Sequence, residues 1–247
     1  MFKAFGCCAL ALSSVTMFAQ AGATGGMDHA NMPGMQHPAP SAPAEEKATP
    51  IKDGGIFVKG WTATVDANAV KQGQSEKDSS FKAEGKGFHV MTGPALTYWD
   101  TKKKLTGDYT VSATFNEPMY MNRNDHPHPY GISIAGGDGT SLYCAAYGNG
   151  NFIVRGFGPD AFQMNGRRGE ANAAVHKAEG PGKPVTQMIG VQVKGDSVSC
   201  MINGATVATY KKADVVTAGK LKSTDGYAGI RMAHNTDVMI TDWKISK

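Results

Sequence analysis

The sequence predicts an all-β fold, a sandwich or a barrel. Two observations carry that expectation. Apolar residues alternate with polar ones in short runs, the period of a strand with one buried face. Glycine-rich turns punctuate those runs, and the chain holds 31 Gly in 247 residues. An amphipathic helix would need apolar spacings of three and four, and no long segment has them.

The clearest run covers residues 191–204. Val191 and Val193 alternate with Gln192 and Lys194, and the stretch 198–202 alternates around Ser199 and Met201. Gly195-Asp196 supplies a hairpin turn between them. Asn203-Gly204 supplies another before residues 206–210, so three strands pair as a meander. Upstream, residues 109–115, 130–135, 141–147 and 151–155 read as further strands, separated by glycine turns at 136–139 and 148–150. Residues 226–230 and 238–245 close the fold, and residues 211–216 are the one short helix expected. The stretch 156–183 is poor in apolar residues and is expected as a long surface loop, a place where rigid scaffolds often carry function.

The N-terminus reads differently. Residues 1–21 have the pattern of a secretory signal peptide: Lys3, an apolar run over 4–18, and the small-x-small site Ala19-Gln20-Ala21. The run is shorter than the ~20 apolar residues a membrane span needs, and no later segment could span. The mature chain is therefore expected to be soluble and exported, in a bacterial periplasm. Residues 22–50, broken by Pro33, Pro38, Pro40, Pro43 and Pro50, cannot bury a core and are expected as a disordered tail. Residues 51–247 are one domain's worth of all-β chain. A formal charge of +4 is too mild to argue nucleic acid binding. Cys7 and Cys8 leave with the leader. Cys144 and Cys200 remain where a disulfide is permitted, and the alternative is two separate buried thiols.

Several segments then combine into a recognisable order. Gly60-Trp61 comes first, then Gly87-Phe88-His89-Val90-Met91-Thr92-Gly93, and then Leu105-Thr106-Gly107-Asp108-Tyr109 leading into the next strand. His128-Pro129-Tyr130-Gly131 opens another strand, the hairpin turns at Asn203-Gly204, and the chain closes from Gly226 through Trp243. This order resembles the concanavalin A-like lectin and glucanase superfamily. It looks most like exported bacterial domains grouped with 3-keto-disaccharide hydrolases and laminin-G-like modules. The resemblance spans about residues 56–246 and implies a jelly-roll β-sandwich. It says little about activity, because one fold hosts many functions.

Three places are candidates for chemistry. The first is the segment 119–130, which holds Arg123, Asp125, His126, His128 and Tyr130 between two strands. Pro127 and Pro129 hold it extended, so the two imidazoles should project in alternation. Hydrogen-bonding groups beside an aromatic face suit a sugar, and imidazoles alternatively bind a metal. The second is Tyr143 and Tyr147, which share one strand face opposite Leu142 and Cys144, with Arg155 within reach. In the superfamily resembled, that opposite face is often the concave ligand groove; ordinary cross-strand packing is the competing account. The third is the tail set Met27, His29, Met32, Met35 and His37, whose soft thioether and imidazole ligands suit Cu(I).

The motifs weigh against known hydrolytic machinery. A laminarinase-type retaining mechanism needs two carboxylates ~5 Å apart, and the Glu-x-Asp-x-x-Glu motif that carries them in that family does not occur. Gly-x-Ser-x-Gly, His-Glu-x-x-His and Walker-type loops do not occur either. The leading expectation is an exported β-sandwich module that binds a carbohydrate or another small polar ligand. A glycoside or 3-keto-disaccharide hydrolase, implied by the resemblance, and a periplasmic copper protein using the tail are the alternatives. Edge strands could support dimerisation, but nothing in the sequence requires it.

Overall fold

The computed structural model describes residues 47–247. The expected leader and almost all of the expected tail lie outside the described residues. In chain order the strands are β1 Gly55–Ile56, β2 Trp61–Val65, β3 Ser80–Glu84, β4 Gly87–Met91, β5 Leu96–Leu105 and β6 Tyr109–Glu117. They continue as β7 Tyr130–Gly136, β8 Ser141–Ala146, β9 Asn151–Phe157, β10 Ala161–Gln163, β11 Glu170–Ala171 and β12 Val185–Lys194. The last are β13 Ser197–Ile202, β14 Ala205–Lys211, β15 Gly226–Met232 and β16 Asp237–Ser246. Two short helices, α1 Ala67–Lys71 and α2 Lys212–Val215, and one 3₁₀ turn, Glu76–Asp78, interrupt them. No helix among the described residues is long and apolar enough to cross a membrane.

The strands form two sheets. The first runs β1-β3-β4-β16-β6-β12-β13-β14, with only the β1–β3 pair parallel. The second runs β10-β9-β8-β7-β15-β5-β2, with β11 also paired to β9. The closing strand β16 sits inside the first sheet between β4 and β6, and β15 sits inside the second between β7 and β5. This interleaving of early and late strands is the jelly-roll sandwich.

Alternation builds the core between the sheets. On β6, Tyr109, Val111, Ala113 and Phe115 point in; on β12, Val185, Ile189, Val191 and Val193 do. They meet Tyr130, Ile132 and Ile134 of β7 and Leu142 and Cys144 of β8 in one buried cluster. Burying such side chains is worth about 1.5–3 kcal/mol each, and this burial drives the sheets together. The meander β12–β13–β14 forms as its turns predict. Asn203 and Gly204 both take positive φ, +50° and +84°, the paired left-handed conformation of a two-residue hairpin turn. Asn203 also donates from Nδ2 to the Ala174 carbonyl and the Gln187 side chain, which ties the turn to the preceding loop.

Cys144 and Cys200 form a disulfide between β8 and β13, with Cα atoms 5.5 Å apart, so it joins one sheet to the other. The stretch 156–183 is less open than a plain loop, because β10 and β11 fold back onto β9. Ordered packing also begins before residue 51. Ala48 is buried, Thr49 N donates to Asn235 Oδ1, and Asn235 Nδ2 donates to the Lys47 carbonyl. Residues 47–50 therefore pack on the sandwich although their composition reads as tail.

Candidate functional site

The two sheets differ on their outer faces. Strand β6 of the first sheet alternates buried and half-exposed, as a sheet with one face in solvent does. Strands β7 and β8 of the second are buried at every position. Something must therefore cover the outer face of the second sheet as well as its core face. The cover is a layer of aromatic and arginine side chains, Trp99, Tyr143, Phe157, Tyr227, Arg155 and Arg231.

Trp99 projects outward from β5 and lies flat across the neighbouring strands. It can do so because those strands present glycine. A Cβ at Gly136 on β7 would come within 2.5 Å of the indole, and one at Gly229 on β15 within 2.6 Å. Trp99 Nε1 donates to Thr64 Oγ1 at 3.0 Å, which fixes the ring's orientation. Tyr227, two residues before Gly229 on the same face, lies over Gly137.

Arg231 is the buried hub of this layer. Its guanidinium lies 5.2 Å from the Tyr143 ring centre and 5.1 Å from that of Phe157. It donates to Asp66 through two parallel bonds, Nη1 to Oδ1 at 2.5 Å and Nη2 to Oδ2 at 2.6 Å. Asp66 stands at the N-cap position of α1, yet its carboxylate makes no capping bond, because Arg231 takes both oxygens. Burial alone would lower the Arg231 pKa, but the Asp66 carboxylate outweighs it and the net direction is upward. The Tyr143 phenol is raised by burial, with Arg231 and Arg155 opposing. Burial likewise pushes Tyr147 up to about 12. Both tyrosines are neutral at ordinary pH.

Above this layer runs a groove of about 750 Å³. Thr62, Thr64 and Asp66 form one wall, Trp99 and Tyr227 lie across the floor, and Arg155, Phe157 and Asp160 form the other side. Arg155 Nε is buried without a hydrogen-bond partner among the described residues. The groove thus offers aromatic faces, hydroxyls, two carboxylates and the Arg155 guanidinium, whose Nε has no partner among the described residues. Those are the parts of a site for a polyhydroxylated ligand, with apolar surface to lie on and a few placed polar groups to orient it.

The structure distributes the sequence-predicted residues unevenly. Tyr143, Tyr147 and Arg155 do share the outer face of the second sheet, but only Arg155 lines the groove; Tyr143 is buried and supports the layer with Tyr147 packed beside it. The loop residues lie elsewhere. Tyr130 is fully buried in the core, stacked on Phe115 at 5.7 Å, because the register of β7 turns it inward beside Ile132 and Ile134. Arg123 donates to the carbonyls of Thr92 at 2.8 Å, Thr49 at 3.1 Å and Thr236 at 3.4 Å, so it clamps three segments together away from the groove. His126 and His128 converge instead of alternating. Their rings lie 4.4 Å apart, His128 is buried, and His234, from the turn between β15 and β16, packs on His128 at 4.1 Å. Burial lowers the His128 pKa to about 4, with His234 adding to the effect. Asp125 accepts from His126 Nδ1. Met27, His29, Met32, Met35 and His37 lie outside the described residues.

Sequence reasoning missed Asp66, Trp99, Tyr227, Phe157, Arg231 and His234. Part of the signal was present. The alternation applied to Tyr143 places Tyr227, Gly229 and Arg231 together on one face of β15. What it could not reveal is that β15 pairs with both β5 and β7, since those pairings join residues 91 to 136 positions apart.

No family model matches the chain, and no curated protein matches it in sequence. Solved structures match it in fold. The carbohydrate binding module CBM66 from Bacillus subtilis superposes with a TM-score of 0.51 at 8% identity, over 77% of this chain and 99% of that one. A protein of unknown function with a galectin-like fold, also from Bacillus subtilis, superposes with a TM-score of 0.51 at 13% identity, over 76% and 89%. A glycoside hydrolase family 16 endo-glucanase from Bacteroides ovatus reaches 0.49 at 13% identity, over 78% and 98%. At such identities the likeness is one of fold. The chain has the concanavalin A-like sandwich that its sequence resembles.

Proposed function

We propose that the domain binds a carbohydrate in the groove on the outer face of its second sheet. The observation that carries this is the groove itself: aromatic side chains laid flat on glycine strands, beside Arg155, whose Nε has no partner. Flat apolar surface suits the face of a sugar ring, and a guanidinium fork suits its hydroxyl oxygens. The similarity in fold to a carbohydrate binding module agrees with this reading. Binding is favoured over hydrolysis by the state of Asp66, one of the groove's two carboxylates. Asp66 is held by both oxygens on Arg231, which leaves it poorly placed to move a proton. A glycan array followed by calorimetry on the hits tests the proposal. Binding that weakens at least ~10-fold in both Tyr227→Ala and Arg155→Gln supports the groove; binding that neither substitution changes rejects it.

The leader pattern of residues 1–21 extends the proposal to an exported protein, which fractionation and N-terminal sequencing of the mature chain would check. The soft ligands of residues 27–37 extend it to copper. Equal Cu(I) binding by the full chain and by a chain lacking those residues would reject that part.

A further inference from the structure

The charges of the groove do not cancel once burial is taken into account. Its charged lining residues are Asp66, Lys71, Arg155 and Asp160. Asp66 is spent, because both of its oxygens accept from Arg231 in the layer below. Lys71 and Asp160 are exposed, so water and salt screen them. Arg155 is half-buried, and its Nε–H is closed off from water without a partner among the described residues. The charge that a bound molecule meets at short range is therefore positive, and it sits on this guanidinium. A donor held in this way has lost its bonds to water, and an acceptor carried by a ligand restores one.

We propose that the groove selects acidic sugars, with the carboxylate of a uronic acid bound by Arg155; this deepens the carbohydrate-binding reading above and rests on it. A sugar hydroxyl would satisfy the Nε–H, but a carboxylate does more. Charge-assisted hydrogen bonds are about twice as strong as neutral ones, and the planar edge formed by Nε and Nη matches the two coplanar oxygens of a carboxylate. The layout agrees with the chemistry. Arg155 stands on β9 at one side, while Trp99 and Tyr227 lie across the floor. The carboxylate of a hexuronic acid leaves the edge of the pyranose ring, not its face. A ring laid on the aromatic floor therefore sends that group sideways, towards a wall. A sulfate ester presents its oxygens as a pyramid and gains less from a planar fork. The other lining cation, Lys71, belongs to α1 next to Asp66 on the opposite wall, where it is exposed.

The test is a glycan array of neutral, uronate-containing and sulfated oligosaccharides, probed with the full chain. Calorimetry follows on the best uronate hit and on the same oligosaccharide with its carboxyl groups reduced to primary alcohols. Arg155→Gln, Arg155→Lys and Tyr227→Ala are measured beside the parent, with melting temperatures to show that each folds. The strongest hits are expected to carry a carboxylate, and its reduction should weaken binding to the parent at least ~10-fold. In Arg155→Gln the acidic and reduced forms should bind within ~2-fold of each other, because the group that tells them apart is gone. Arg155→Lys keeps the charge but not the fork, so it should recover only part of the discrimination. Neutral or sulfated glycans that bind as tightly as uronates, with binding still lost in Tyr227→Ala, would overturn the acidic assignment and leave the groove standing. Uronate binding that neither Arg155→Gln nor Tyr227→Ala changes, or no binding to any glycan, would overturn the groove itself.

Discussion

Replacing Asp66 with alanine should cost about 3–5 kcal/mol of stability, the loss expected when one partner of a buried ion pair is removed and the other stays. The structure says why the cost is large. The Arg231 side chain is 8% exposed, and Asp66, itself 26% exposed, is its only carboxylate partner among the described residues. Without Asp66 a guanidinium is left between the Tyr143 and Phe157 rings with its two strongest bonds gone. The aromatic faces, worth about 2 kcal/mol to a desolvated cation, are already engaged in the parent and do not replace the lost bonds. Methionine at position 231 should relieve the strain, because it fills the slot without a charge. The double variant Asp66→Ala/Arg231→Met is therefore expected to be more stable than Asp66→Ala alone, by about 2 kcal/mol. Urea unfolding monitored by tryptophan fluorescence measures all of these. A loss under ~1 kcal/mol in Asp66→Ala, or a double variant that is merely the sum of the singles, would refute the reasoning.

Other expectations follow from the same geometry. Burial, with Asp237 adding and the Met121 amide opposing, raises the Glu117 carboxyl to about 7. A raised carboxyl favours the folded state most when protonated, so this contribution is complete below about pH 4.5 and is lost as pH rises towards 7. Relative to Glu117→Gln, the parent should lose about 3 kcal/mol across that window, read from urea midpoints at pH 4.5 and 8; parallel pH profiles would contradict the burial argument. Cys144→Ser opens a covalent loop with a sequence separation of 56 and should cost about 4 kcal/mol, matched by the effect of reductant on the parent. Ligand binding should fall at least ~10-fold in Arg155→Gln with an unchanged melting temperature, since that guanidinium's Nε has no partner to lose.

Comparison of particular elements shows why the site was harder to read than the fold. Residues 191–204 announce two strands and two turns by local chemistry, and they form them. The stretch from Leu96 to Leu105 forms a ten-residue strand without announcing it, because both of its faces are covered near Trp99 and the alternation disappears. Loop residues Arg123 and Tyr130 have the right chemistry for a ligand, but other segments consume them, three carbonyls in one case and Phe115 in the other.

The amino-acid sequence by itself determined the all-β class, the turns and the meander, because period-two patterning and left-handed turn residues act over a few neighbours. It also determined that Tyr143 and Tyr147 share a face. Only the tertiary structure decided that Trp99, Arg155, Tyr227 and Arg231 share that sheet face, that Asp66 neutralises Arg231, and that His126 and His128 turn towards His234. Those meetings depend on strand order and register between distant segments. A side chain's role is set there by what stands opposite it in space, which local spacing does not encode.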